Sequence, residues 1–143
     1  MAITNALCDV AKRDFLNGIH LAGHTYKLAL IKTGHAGTYG AATTSYTDLT
    51  TDECSASGNY SAGGITLSGY TAALTGGVGS LDWDNPHLAA FTGSADGALL
   101  YNDTAAGKPA IATFLFPNAP VAATGGAYDV TIPTSGTGVV RYT

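Results

Sequence analysis

The stretch Tyr26-Lys27-Leu28-Ala29-Leu30-Ile31-Lys32, closed by Thr33-Gly34, decides the fold class of this 143-residue chain. It is a run of apolar and β-prone residues ended by a turn signal, and it reads as a strand. From Thr25 onward the composition shifts to Gly, Thr, Ala and Tyr. Further runs of strand type recur at residues 65–67, 70–74, 81–83, 88–91, 98–101, 111–116, 128–132 and 139–142. Each is bounded by turn formers, among them Gly76-Gly77, Asn85-Pro86, Gly93, Asn102-Asp103, Pro117-Asn118, Gly125-Gly126 and Pro133.

Seven to nine short strands at this spacing predict an antiparallel β-sandwich, jelly-roll-like, or a barrel. Parallel units would need crossover helices, and no segment after Gly18 supplies one. Upstream of the deciding strand a single amphipathic helix is expected over about residues 4–17. Thr4 or Asn5 caps it, Leu7, Val10, Ala11 and Phe15 recur at helical spacing, and Gly18 stops it. Residues 33–63 form the longest irregular stretch, with one helical turn expected near 48–53. The length fits a single domain, β-rich over 25–143.

Charged residues make up only 11% of the chain, against roughly 25% in an average soluble domain. Residues 55–81 contain no Asp, Glu, Lys or Arg at all. Small soluble proteins normally cover themselves with ionic groups. This run therefore predicts sheet whose Ser, Thr and Tyr face meets another subunit. With a net charge of −4 and one basic pair, Lys12-Arg13, flanked by Asp9 and Asp14, the chain is a poor match for nucleic acid. No apolar stretch approaches the ~20 residues of a membrane helix. The N-terminal residues show no basic-then-apolar signal pattern, so folding in a reducing cytoplasm is expected, with Cys8 and Cys54 as free thiols.

Candidate chemistry is sparse. His20 and His24 have a metal-compatible spacing, but Gly18 and Gly23 bracket them and no Glu follows the first His as in the metalloprotease pattern, so they read as ordinary loop histidines. Asp82-Trp83-Asp84-Asn85 concentrates oxygen ligands, yet Pro86 and His87 break the calcium-loop pattern. Strand alternation explains that string more simply. Glu53 is the only glutamate, His35 and His87 lie in turns, and neither a nucleophile elbow nor a phosphate loop is present. The sequence thus assigns no catalytic, cofactor or metal residue. Tyrosine and tryptophan suit protein interfaces, and Tyr39, Tyr46, Tyr60 and Trp83 are the interface candidates.

Several strings in fixed order carry a resemblance. They are Met1-Ala2-Ile3-Thr4-Asn5-Ala6-Leu7-Cys8, Phe15-Leu16-Asn17-Gly18-Ile19-His20, the deciding strand itself, Gly58-Asn59-Tyr60-Ser61-Ala62-Gly63-Gly64, and Gly97-Ala98-Leu99-Leu100-Tyr101-Asn102. In these the chain resembles a group of small virion proteins encoded among the structural genes of tailed bacteriophages. Residues 105–124, rich in Ala and Pro, add nothing to the likeness. The resemblance implies a non-enzymatic virion protein without cofactor, homo-oligomeric, bound to the major capsid protein or other virion proteins. Capsid decoration is the leading expectation. A tail, baseplate or fibre component, or a carbohydrate-binding β-sandwich using Trp83 or loop tyrosines, are the alternatives.

Overall fold

Strand β2 (Tyr26–Lys32) is an interior strand of the larger sheet. Leu28, Ala29, Leu30 and Ile31 are completely buried in succession, so both of its faces are covered. The computed structural model describes residues 1–132 and 140–142. The other elements are β1 (Ala6–Leu7), α1 (Asp9–Leu16), a 3₁₀ turn (Tyr46–Leu49), β3 (Ile65–Thr66), β4 (Thr71–Thr75) and β5 (Val78–Asp82). They continue with β6 (His87–Asn102), β7 (Ala110–Leu115), β8 (Val121–Asp129) and β9 (Val140–Tyr142). The expected strand at 139–142 is thus present as β9, while Val139 and the Pro133 turn lie outside the described residues.

The protein is mainly β, with antiparallel pairing between strands and one α-helix. One sheet runs β1-β7-β6-β2-β3, with β8 added on β6; the other is β4-β5-β9. Neither closes on itself, so the barrel alternative is corrected: both sheets keep free edges. Strand β6 is sixteen residues long and joins the two runs expected at 88–91 and 98–101. Gly93 does not break it, because the strand is paired there with Ala123. A Cβ at Gly93 would lie 2.7 Å from the Phe91 ring, so glycine makes room for that ring on the same face.

Strands β7 and β8 lie end to end along one side of β6. Gly97 faces Leu115 and Ala95 faces Val121, so the partner strand leaves between 115 and 121 and returns almost where it left. Ala95 also pairs with Lys32 on the opposite side, which fixes β8 on the β7 side. Gly125-Gly126, expected as a turn, instead lies within β8. β6 supplies the continuous template that holds it there.

The helix is shorter than the expected 4–17. Cys8, with extended backbone, precedes its first turn, and Gly18 at φ +68° follows its end. The candidate caps Thr4 and Asn5 serve the sheet instead. Thr113 Oγ1 donates to the Thr4 carbonyl at 2.7 Å, and the Leu115 N–H donates to Asn5 Oδ1 at 2.7 Å. Ala6 and Leu7 pair with Thr113 and Ala112. Sheet pairing along four residues outweighs one cap bond, worth roughly 1 kcal/mol. Ala11 is buried and Val10 and Phe15 pack on the core. The expected helical turn at 48–53 falls earlier, at Tyr46–Leu49, where Ser45 and Asp48 form a reciprocal capping box.

Candidate functional site

The irregular segment 33–63 is pinned alongside β2, where the Lys32 N–H donates to the Asp52 carbonyl and the Cys54 N–H to the Leu30 carbonyl, and its tyrosines add to that hold. Tyr60 is 1% exposed. Its hydroxyl donates to Glu53 Oε1 at 2.8 Å and accepts the Leu30 N–H at 2.8 Å. Tyr46 donates to Glu53 Oε2 at 2.6 Å, and the Gly63 N–H donates to Oε1 at 2.8 Å. Tyr101 donates to the Gly63 carbonyl at 2.5 Å and stacks on Tyr46, with Lys108 over the Tyr46 ring. The single glutamate is therefore an architectural acceptor with three donors.

Asp52 fills the same role beside it. The Tyr39 hydroxyl (2.7 Å), the Gly37 N–H (2.7 Å) and the Ala36 N–H (3.0 Å) all donate to its Oδ2. Burial alone would raise this carboxyl. The three donors and Lys32 outweigh that and hold it at about 2.

Three of the four interface candidates thus lie inside the chain. Tyr39, Tyr60 and Trp83 are buried, and Tyr46 is half-buried with its hydroxyl committed to Glu53. Trp83 packs against both Tyr26 and Tyr70, with ring centroids 5.1 and 5.6 Å away. Trp83 therefore offers no open face on which a sugar could stack. The sequence signal misled because tyrosine is equally suited to a core with polar anchors.

The two closely spaced histidines, His20 and His24, converge on Asn102. Asn102 Nδ2 lies 3.1 Å from His20 Nδ1 and 2.9 Å from His24 Nδ1. Its Oδ1 accepts the N–H groups of Thr104 and Ala105, which fixes the amide orientation. Both imidazoles therefore accept at Nδ1. No group of three or more metal-ligating side chains exists among the described residues. Asp84 binds Ser68 Oγ, and Asp82 accepts the Trp83 N–H. Cys8 and Cys54 are buried free thiols, each pushed up to about 12 chiefly by burial.

Basic side chains are equally committed. Lys12 pairs with Asp9, Arg13 with Asp14, Lys32 with Asp52, and both Lys27 and Lys108 with Asp103. Hydrogen bonding to Lys108 and Lys27 holds the Asp103 carboxyl below the usual range against its partial burial. Arg141 alone among the basic residues has no ion pair within the described residues.

What remains unassigned is surface. All five residues of β4 are exposed, Leu74 at 77%. Leu16, at the end of α1, is 83% exposed, and Ile19 and Leu21 follow it in the connector to β2. An open groove of about 330 Å³ runs between them, lined by Phe15, Leu16, Tyr70, Ala72 and Leu81. The charge-free run thus divides in two. Tyr60, Gly63, Gly64 and Leu67 are buried and build the interior, whereas residues 71–77 are exposed. Burial decides between these halves, and a composition signal does not carry it.

No helix among the described residues is long and apolar enough to cross a membrane. No family model matches the chain, and neither the curated proteins nor the solved structures contain a match to it.

Proposed function

We propose that this chain is a non-enzymatic virion structural protein that decorates a bacteriophage capsid, cementing neighbouring major capsid subunits after assembly in the host cytoplasm. In this reading the two antiparallel sheets are the layers of a jelly-roll-like sandwich, with α1 plugging one end. The observation that carries it is the division of labour in the side chains. Carboxylates, imidazoles and thiols are spent on internal bonds or buried, while an uncharged, partly apolar surface formed by β4, residues 79–81 and the end of α1 is left outward. Uncharged contacts avoid the desolvation cost of buried ions. Repeated by symmetry over a shell, weak contacts of this kind add up through avidity. The resemblance in the opening and Gly58–Gly64 strings supplies the phage context.

The test is binding of the purified protein to expanded capsids. Saturated particles are expected to melt at a higher temperature and to survive low salt. Unchanged melting at saturation overturns the cement role, and immunogold label on tails instead of heads would move the same subunit to a tail or fibre.

A further inference from the structure

We propose that β4 is a docking edge for β4 of a second copy of this chain, paired antiparallel about Ala73. The inference rests on the reading of the chain as an assembling subunit and names the contact.

Every other free sheet edge among the described residues is protected. β1 and β3 are two residues long. β9 is three residues long and carries Arg141. β8 pairs with β6 through two register shifts, has Gly125 at φ +64°, and ends on Asp129. Short edges, charges and bulges are the devices that stop a strand from recruiting another. β4 has none of them. Thr71-Ala72-Ala73-Leu74-Thr75 is uncharged, contains no proline, pairs with β5 in unbroken register and is exposed throughout.

The occupant follows from charge and from size. Two copies at −4 each repel, and they approach most cheaply where neither carries charge. A two-fold axis at Ala73 sets Thr71 opposite Thr75 of the other copy, and Ala72 opposite its Leu74. Small then faces large and hydroxyl faces hydroxyl. Five paired residues span only about 17 Å, less than a standard interface needs. The groove beside Leu16 must therefore take up the partner's Leu74, and the isolated contact is weak. Weak self-association is what a symmetric shell requires of each repeated contact.

Sedimentation equilibrium of the intact chain, from micromolar to millimolar concentration, reads this out. A concentration-dependent dimer is expected. Ala73→Lys sets two ammonium groups face to face on the axis and weakens the dimer by about tenfold or more. Ala72→Lys with Leu74→Lys in one chain acts likewise. Ala72→Glu with Leu74→Lys sets opposite charges across the axis twice and associates about tenfold or more tightly than the double-Lys chain, yet more weakly than the parent because Leu74 no longer fills the groove. These positions are exposed, so circular dichroism should stay that of the parent. A monomer at every concentration, or a dimer indifferent to Ala73→Lys, overturns the inference. If the chain stays monomeric yet Ala73→Lys abolishes capsid binding, β4 takes a strand of the capsid protein: self-pairing fails and the cement reading stands. If the dimer behaves as expected but capsids do not bind it, the cement reading fails and the edge contact stands.

Discussion

Tyr60 joins the chain's only glutamate to the middle of the buried strand β2: its hydroxyl hydrogen goes to Glu53 Oε1 and its oxygen receives the Leu30 N–H, both at 2.8 Å. Removing the hydroxyl strands a buried N–H in β2 and takes one of three donors from the carboxylate. Leaving a buried partner unsatisfied costs about 1–3 kcal/mol. Tyr60→Phe is therefore expected to lower the free energy of unfolding by that amount in urea titrations. Glu53→Gln, which keeps an acceptor oxygen, should cost less than Glu53→Ala. A Tyr60→Phe loss below about 0.5 kcal/mol, the range of an unremarkable surface change, would show that segment 33–63 is held by something else.

The string around Tyr60 makes a second expectation about backbone approach. Gly58 sits at φ +59°, and a Cβ there would lie 2.2 Å from the Ala89 carbonyl oxygen. Beside it, Asn59 bonds the Ala89 N–H and the His87 carbonyl through its side chain, taking the place of a strand along the bulged start of β6. Gly64 sits at φ +95°, with the Leu28 carbonyl oxygen 2.4 Å from a built Cβ. Backbone cannot swing aside as a flexible side chain can. Gly58→Ala and Gly64→Ala are expected to lower the melting temperature well beyond Gly76→Ala, where nothing lies within 4 Å and the left-handed φ of +58° alone costs about 1 kcal/mol. Equal shifts in the three variants would remove the close-approach account.

These residues also show what sequence reading reaches. Strand type, antiparallel order and the Gly18 stop come from local pattern, and local pattern is what periodicity reports. The merging of two runs into β6, and the passage of β8 through Gly125-Gly126, depend on pairing between distant segments, which overrides a glycine's local preference. The helix start moved for the same reason, since Thr4 and Asn5 found partners more than a hundred residues away. Of the candidate site, the charge-free run was legible, but its split into a buried and an exposed half was not. Asn102 read as a turn residue because nothing local announces that two imidazoles will meet its amide.

Acid should unfold the protein in two stages. Burial lowers the pKa of His20, with His24 acting in the same sense and Asp14 against it; the Phe15 and Tyr26 rings cover the imidazole. The unfolded chain then takes up that proton first, so stability declines as pH falls below about 6.5. Protonation at Nδ1 also sets an N–H against the Asn102 amide. The second stage belongs to Asp52, held at about 2 in the folded chain against 3.8 for a free side chain. Its contribution, on the order of 2 kcal/mol, is present above about pH 4 and is lost as pH falls towards 2. Urea midpoints measured from pH 7 to 2 should show both declines. His20→Gln should remove the first, and Asp52→Asn should flatten the second from an already lower plateau. A midpoint constant from pH 7 to 5 would contradict the histidine assignment.

Alkali should act through the tyrosines in one cooperative step. Burial raises Tyr46 and Tyr128 to about 12, and pushes Tyr26, Tyr39, Tyr60, Tyr70 and Tyr101 upward as well. For Tyr39 and Tyr46, hydrogen bonds to Asp52 and Glu53 add to the effect, because a phenolate beside a carboxylate is doubly unfavourable. A free phenol titrates near 10. Above that pH the folded chain holds more protons than the unfolded one, so stability falls steadily as pH rises. Glu53 and Asp52 then face hydroxyls that must ionise or separate, and separation frees segment 33–63. Phenolate absorbance is expected to rise together with the loss of far-ultraviolet circular dichroism, in a single transition above pH 10. Gradual phenolate formation with the native spectrum retained would mean that these rings are open to solvent, contrary to the burial of Tyr26, Tyr39, Tyr60 and Tyr101.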